Sequence, residues 1–390
     1  MKSYSKSTIW LLTIGTFFAF FVFGFSDNLK GPVLPALLQD LKFNYSLGGT
    51  ILLGAYLGFM AATLSTGLLA DVAGQKAVLL LAGVSLAIGV TGFSLLSSPI
   101  FLAISMSFLG FGLGSLELGC NALIVELHST DKGRYLNLMA VLHGLGSMIA
   151  PLYAGWLLAG NVSWRNVYRW DLILIGLLII YFSIIRFPKI DRAKSEKLNL
   201  KHVGKTAFTP KMLWYYALIT IYVSIELGIA SWLVEFLQKE RGFSIPQSTQ
   251  ALSIFFGLMM LGRFVGSFFV EKIGYLKSIL GASLCASACV ALALFGSAQL
   301  SFLLPISGFF LSIIFPNITA AASDDNKENV NTILGMLFTF AGLGGVIGPW
   351  LVGIASDIGG IKFGFSLNLA YGLLTAFAVI MLIQVNKNKA

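Results

Sequence analysis

Long apolar runs are the feature that most constrains this sequence. Twelve of them follow one another along the 390 residues, separated by short polar stretches. Apolar residues make up 57% of the chain and charged residues only 11%, whereas soluble domains have about 25% charged residues. A water-soluble fold of this length could not bury so much apolar surface. The runs therefore predict a multi-pass protein of the cytoplasmic membrane, with the lipid bilayer as its surroundings.

The length of the runs predicts helices. A transmembrane helix needs about 20 apolar residues, while transmembrane β-strands are about 10 residues long and alternate in polarity. Helices also satisfy their own backbone polar groups, which lipid cannot do. We expect an all-α membrane fold of twelve transmembrane helices. The predicted spans are 8–37, 46–69, 77–97, 100–127, 135–159, 166–187, 212–238, 248–270, 277–297, 300–322, 330–355 and 363–385.

Basic residues predict the orientation in the membrane. With both termini inside, 18 of the 26 Lys and Arg residues fall on the inner side and six on the outer side. The other two, Lys30 and Arg263, lie within spans. Cytoplasmic loops carry the excess of Lys and Arg, so both termini are expected in the cytoplasm. The net charge of +9 then reflects topology, and no soluble basic domain remains to bind nucleic acid.

A basic polar stretch divides the chain into two halves of six spans each. We expect an N-terminal six-helix bundle at 1–187, a cytoplasmic linker at 188–211 and a C-terminal six-helix bundle at 212–390. Because each half has an even number of spans, the halves are expected to be parallel repeats related by a pseudo-two-fold axis along the membrane normal. Such repeats are one solution for alternating access around a central site.

The halves also match in sequence at an offset near 199. Span five carries Gly144-Leu-Gly146, Ile149, Pro151 and Gly155, and span eleven carries the same residue types at the same spacing, from Gly342 to Gly353. Asp27 in span one corresponds to Glu226 in span seven. This agreement indicates an internal duplication.

One loop carries a family resemblance. The segment Gly67-Leu-Leu-Ala-Asp71-Val-Ala-Gly74-Gln-Lys76 after span two resembles the loop signature of the major facilitator superfamily, and a degenerate copy follows span eight. The resemblance covers the whole chain. It implies the major facilitator fold and a transporter rather than an enzyme.

Three further segments are similar to the fucose/galactose/glucose–proton symporters within that superfamily. They are Phe23-Gly-Phe-Ser-Asp27-Asn28, Gly112-Leu-Gly-Ser-Leu-Glu117-Leu-Gly-Cys-Asn121, and the stretch from Arg134 to Gly146. The resemblance implies symport of a hexose or deoxyhexose with a proton or sodium ion. In the fucose permeases the glutamate at the position of Glu117 takes the proton and touches the sugar.

Glu117 is the strongest candidate for coupling. It lies just past the middle of span four, where a charge costs at least about 2.5–3.5 kcal/mol. Asn121 is one turn further along and shares its face. Reversible protonation of Glu117 would suit coupling, and a structural hydrogen bond to a neighbouring helix is the alternative.

Asp27, Asn28 and Lys30 form a second polar group, within span one. Asp27 and Lys30 are three residues apart and can pair on one face of a helix. The pair could be a switchable coupling element or a fixed ion pair, or Lys30 could extend outward to the membrane surface. The span-one aspartate of the fucose permeases falls four residues later, near Gly31. The resemblance therefore supports substrate binding by Asn28, while Asp27 is a coupling candidate through its charge and position.

Other polar residues within spans are candidates for substrate contact. Glu226 is expected to bind substrate or cation together with Tyr222, one turn away, because carboxylates accept hydrogen bonds from hydroxyl groups. Trp232 could stack on a sugar or serve in packing, and His143 could bind substrate, titrate near neutral pH or join two helices. Asn317 follows Pro316, which frees backbone polar groups to line a cavity.

A set of charged residues is expected to form gating or structural ion pairs and helix-end contacts, mostly at the cytoplasmic ends of the spans. Its members are Lys30, Asp71, Lys76, Arg134, Arg263 and Glu271.

Two functions remain open from the sequence. The first is secondary active uptake of a sugar by proton or sodium symport, and the second is proton-coupled export of drugs or other small organic molecules. The energy source is expected to be a transmembrane ion gradient, with no cofactor. Cys120, Cys285 and Cys289 lack the paired spacing of a metal site, and a two-bundle chain is expected to work as a monomer.

Overall fold

The computed structural model of the chain describes residues 6–187, 208–326 and 330–387. These residues form helices, with one short 3-10 turn at Ala298–Phe302 and no strand. The first seven helices are α1 (Lys6–Asp27), α2 (Lys30–Leu41), α3 (Tyr45–Ala73), α4 (Gln75–Leu95), α5 (Pro99–Leu127), α6 (Lys132–Ala159) and α7 (Trp164–Ile184). The others are α8 (Pro210–Arg241), α9 (Ile245–Gly266), α10 (Val270–Ile273), α11 (Tyr275–Phe295), α12 (Leu303–Leu311), α13 (Ile314–Asp324) and α14 (Val330–Lys387).

The described helices agree with the predicted spans. Eleven helical stretches are long and apolar enough to cross a membrane. The last of them, Ile333–Val385, has 53 residues and is broken at Gly359 and Gly360, where the backbone is not helical. Since one span needs about 20 residues, this stretch is long enough for two. The prediction of an all-helical, multi-pass chain is therefore confirmed.

The chain divides into two compact units. One holds Met1–Phe43 and Thr50–Lys194, and the other holds Asn44–Gly49 and Ser195–Ala390. The division falls inside the predicted linker 188–211, of which residues 188–207 lie outside the described residues. Helix α8 begins within the predicted linker because Thr209 caps it, its hydroxyl accepting from the Met212 amide at 3.3 Å.

The short segment Asn44–Gly49 differs from the predicted boundaries, because it packs within the second unit. The Asp357 carboxylate accepts from the backbone amides of Tyr45 at 2.8 Å and Ser46 at 2.9 Å. The first amides of a helix lack intrahelical partners, so this carboxylate caps the beginning of α3. The Tyr45 hydroxyl donates to Glu235 Oε1 at 3.2 Å.

Glycines set the closest helix contacts in each unit. In the first unit, Gly146 of α6 lies against the Phe21 carbonyl of α1, and Gly110 of α5 lies against the Ala55 carbonyl of α3. A methyl group at either glycine would collide with that backbone oxygen. The Gly-rich sequence of span five is therefore explained by close packing between α1 and α6.

The second unit repeats both contacts. Gly344 of α14 lies against the Thr220 carbonyl of α8, and Gly308 of α12 lies against the Phe255 carbonyl of α9. These residues correspond to those of the first unit at the offset near 199 seen in the sequence. The internal duplication thus extends from the sequence to the packing inside each unit.

Regular helical hydrogen bonding lapses for two residues inside two of the predicted spans. We call these positions breaks: the run 8–37 has one at Asn28 and Leu29, between α1 and α2, and the run 300–322 has one at Ser312 and Ile313, between α12 and α13. Each break begins four residues before a proline, Pro32 or Pro316. Proline has no amide hydrogen, so the carbonyl four residues earlier loses its helical hydrogen bond. Both stretches still run on as single spans, because Leu29, Ser312 and Ile313 keep helical backbone angles.

His128, which follows α5, is held against α1 and α6. Its ring stacks on Tyr135 with 3.5 Å between ring centroids, and its Nε2 atom lies 2.7 Å from Thr13 Oγ1. The Thr13 hydroxyl donates to the Ile9 carbonyl at 2.8 Å, so the Thr13 oxygen accepts from Nε2–H of the imidazole. Burial lowers the pKa of His128 below its ordinary value of 6.5, and the charge of Asp131 partly opposes this.

The glycine contacts predict a loss of stability on adding one methyl group. Gly146→Ala and Gly344→Ala should each lower the free energy of unfolding by about 1–3 kcal/mol, the usual effect of overpacking. Thermal unfolding of the purified protein in detergent measures the change. Gly176→Ala is the control, since nothing lies within 4 Å of the added methyl group. An equal effect at all three positions would contradict the assignment.

His128 predicts a pH dependence of stability. Because the pKa of His128 is lowered in the folded chain, the unfolded chain binds more protons at acidic pH. The free energy of unfolding should therefore fall as the pH drops below 6.5. Unfolding midpoints of the wild type and His128→Gln, measured between about pH 5 and 8, should diverge at the acidic end. Parallel curves for the two proteins would show that His128 contributes nothing.

Candidate functional site

The break in the first span places an ion pair inside the first unit. Lys30 Nζ lies 2.6 Å from Asp27 Oδ1 and 4.6 Å from the centroid of the Tyr56 ring. Only 5% of the Lys30 side chain is exposed, against 21% for Asp27. Lys30 is therefore paired in the interior, and the alternative that it extends to the membrane surface is wrong.

Glu117 of α5 lies close enough to Asp27 for their carboxyl groups to interact electrostatically. Within the described residues, Glu117 has no ion pair and no hydrogen bond to its carboxyl group, while Asp27 is neutralised by Lys30. Two negative charges this close are unfavourable away from water. Glu117 is consequently the carboxyl group of this pair better suited to bind a proton.

Asn28 and His143 lie at the same break. The Asn28 amide donates to the Gly24 carbonyl at 2.9 Å and to Ser147 Oγ at 3.0 Å, and the Ser147 hydroxyl donates to the His143 carbonyl at 2.9 Å. The His143 ring packs edge-on against Phe23, with 4.6 Å between centroids. Both amide hydrogens of Asn28 are thus occupied, which leaves its side-chain oxygen to accept from a ligand.

Asn121 is half-buried, one helical turn beyond Glu117. Together, Asp27, Asn28, Glu117, Asn121 and His143 supply carboxylate, amide and imidazole groups on α1, α5 and α6 within one unit. Groups of this kind hydrogen-bond hydroxyl-rich ligands.

The second unit brings together a different group. Glu226 is within electrostatic reach of the charge of Arg263, and Tyr222, one turn before Glu226, has a buried hydroxyl with no hydrogen-bond partner among the described residues. Arg263 was predicted in a set of gating or structural ion pairs near the cytoplasmic helix ends, and it forms no ion pair within the described residues. Asn317, four residues into α13 and 5% exposed, has a side-chain amide nitrogen with no partner among the described residues.

Trp232 has a packing role in this structure. It is completely buried, its Nε1 donates to the Pro349 carbonyl at 2.9 Å, and its ring meets Tyr45 edge-on at 5.8 Å. No face of the indole is open to stack on a sugar, which corrects the predicted substrate contact.

The predicted ion pairs at exposed positions are mostly absent. In the part of the chain that the structure describes, Asp71, Arg134 and Glu271 are exposed and form no ion pair. Lys76 makes a helix-end contact, since its Nζ donates to the carbonyls of Ser183 at 2.7 Å and Ile185 at 2.9 Å. The sequence prediction placed charges correctly near helix ends but could not identify their partners.

Two interactions of charged groups and one buried carboxyl group were missed in the sequence. Lys211 pairs with Asp325 at 2.6 Å, across a sequence separation that no local pattern reveals. Glu235, 2% exposed, accepts from Tyr45. Asp171 in α7 is 1% exposed, and its position in an apolar span was a signal of the same kind that singled out Glu117.

The chain matches a known protein family. The family model described as "Major Facilitator Superfamily" matches residues 16–349. The chain belongs to the major facilitator superfamily. It is therefore a transporter of a small molecule rather than an enzyme, and a multi-pass protein of the cytoplasmic membrane.

Relatives within the superfamily include sugar transporters. The chain is 25% identical over 386 residues to the glucose/galactose transporter of Brucella abortus, covering 93% of this chain and 92% of the relative. It is 22% identical over 385 residues to the L-fucose-proton symporter of Escherichia coli, with coverages of 87% and 86%. The solved nucleoside transporter NupG shares the fold with a TM-score of 0.81 at 14% identity, with coverages of 96% and 99%.

The Asp27–Lys30 pair predicts a non-additive effect on stability. Lys30→Met should destabilise the protein by about 3 kcal/mol, the low end for breaking a buried pair, because Asp27 is partly exposed. The double variant Asp27→Asn, Lys30→Met leaves no unpaired charge and should recover most of that loss. Unfolding in detergent measures both variants, and a double variant at least as unstable as Lys30→Met would contradict a paired interaction.

Proposed function

We propose that this protein takes up a hexose or deoxyhexose together with a cation, most simply a proton, by alternating access as a monomer with both termini in the cytoplasm. The observation that carries the proposal is the position of Glu117. It is a carboxyl group with no ion pair among the described residues, within electrostatic reach of Asp27, which Lys30 neutralises, and Asn121 lies one helical turn further along α5. The names of the Brucella and Escherichia coli relatives support a sugar as the substrate.

Coupling follows from the charges of this cluster. An ionised Glu117 beside Asp27 repels it, and a proton on Glu117 removes that repulsion and adds a hydrogen-bond donor for a sugar hydroxyl. Protonation would then favour the sugar-binding form of the site, and binding of the two ligands would be mutually favourable. Glu226, with Tyr222 and Arg263, is the corresponding candidate in the second unit.

The Gly- and Pro-rich sequence of span five slightly favours the alternative of proton-coupled export, because proton-coupled antiporters carry a Gly/Pro motif there. That sequence has a structural explanation, because Gly146 and its counterpart Gly344 allow two helices to pack closely. The feature that favoured export therefore no longer supports it, and uptake of a sugar is the better proposal.

Uptake into proteoliposomes tests the proposal. The wild-type protein should accumulate a radiolabelled hexose or deoxyhexose when a proton gradient is imposed, and a parallel experiment with a sodium gradient distinguishes the cation. Expulsion of a hydrophobic dye without accumulation of any sugar in the panel would overturn sugar uptake in favour of export.

Glu117→Gln separates coupling from binding. The amide cannot exchange a proton, so gradient-driven accumulation should be lost, while exchange of labelled for unlabelled sugar without a gradient should largely persist. Glu240→Gln, which neutralises an exposed carboxylate near the end of α8, is the control and should accumulate like the wild type. Normal accumulation by Glu117→Gln would show that the coupling carboxyl lies elsewhere.

A further inference from the structure

Asp171 is a buried carboxyl group that the proposed site does not use. It lies on α7, two turns after the helix begins, and is 1% exposed. Among the described residues, neither of its carboxyl oxygens has a hydrogen-bond partner.

No cation of the described chain neutralises Asp171. From its own helix, Arg165 and Arg169 donate to carbonyls at the end of α4, on Ser94 and Leu96. From α4, Lys76 binds the opposite end of α7.

The other helices packed against α7 also offer no counter-charge. From α2, Lys30 is paired with Asp27, and Asp40 accepts from Trp164 Nε1 at 3.0 Å. From α6, the Tyr153 hydroxyl donates to the Val167 carbonyl at 3.0 Å. An ionised Asp171 would thus be a bare charge in an apolar interior.

Burial of an ionised carboxylate without a partner costs far more than burial of the neutral acid. The neutral acid also gains a hydrogen that it can donate. Asp171 therefore fits this environment when it carries a proton. Asp27 lies four residues after Phe23 on α1 and is paired with Lys30, so it fits its own environment when ionised.

Tyr168 and Ser26 are two buried hydroxyl groups that also leave Asp171 without a hydrogen bond. Tyr168 lies one turn before Asp171 on α7, it is completely buried, and its hydroxyl has no hydrogen-bond partner in the described residues. Ser26, directly before Asp27 at the end of α1, is also completely buried, and its hydroxyl has no partner there either. Neither hydroxyl stabilises an ionised Asp171 by donating to it.

We propose that Asp171 is a second proton-binding site of the first unit. The neutral acid forms when one carboxylate oxygen of Asp171 binds a proton from water, and release of that proton to water leaves the ionised carboxylate. A role for this proton in transport rests on the proposed function, but its binding does not.

Infrared spectroscopy tests proton binding without any substrate. Full-length protein labelled with ¹³C-aspartate and reconstituted in lipid should show the carbonyl band of a protonated aspartic acid at neutral pH. The band should disappear in Asp171→Asn and persist in Asp40→Asn, a matched variant of an exposed aspartate. Absence of the band from the wild type, or its persistence in Asp171→Asn, would overturn the proposal.

The measurement also separates this site from the proposed function. Because it uses labelled protein alone, failure of sugar uptake with an intact Asp171 band would reject only the proposed function.

Discussion

The cost of a charge away from water is the constraint on which this structure depends. Lys30 and Asp27 reduce that cost by forming an ion pair inside the first unit, with Lys30 Nζ 2.6 Å from Asp27 Oδ1. Once Asp27 is neutralised, Glu117 and Asp171 are two carboxyl groups inside spans of the same unit that lack a counter-charge among the described residues. The ion pair therefore separates one carboxylate that stays charged from two that are suited to bind protons, and the proposed coupling rests on that difference.

Two prolines place the polar groups where they can act. Pro32 and Pro316 each withhold one amide hydrogen, and each helix breaks four residues earlier, beside Asn28 in one case and shortly before Asn317 in the other. Interrupted spans leave polar backbone inside the membrane, which is tolerated where protein or a cavity covers it. Substrate and ion sites in transporters are typically formed by such helices. The breaks thus place backbone carbonyls that lack helical hydrogen bonds close in sequence to the polar side chains of Asn28 and Asn317.

The two halves share the same close helix contacts but differ in their titratable groups. Gly146 with Phe21 and Gly344 with Thr220 make equivalent close contacts, because a glycine is the only residue that fits against a backbone carbonyl at that distance. The titratable groups differ, with Asp27 paired to Lys30 in one unit and Glu226 within electrostatic reach of Arg263 in the other. Packing constrains both copies alike, while each half is free to carry its own polar residues.

The sequence by itself determined the class of fold, the approximate number of spans and the candidate polar residues. Apolar runs and the charges within them have large free energies of transfer into a membrane, and these depend on the local sequence. It also contained the signal for both helix breaks, in the positions of Pro32 and Pro316. Only the tertiary structure decided which groups are partners. It paired Lys30 with Asp27, joined Lys211 to Asp325, enclosed Trp232 in packing and left Asp171 without a counter-charge. Partners on different helices are chosen by three-dimensional packing, which no spacing along the chain encodes.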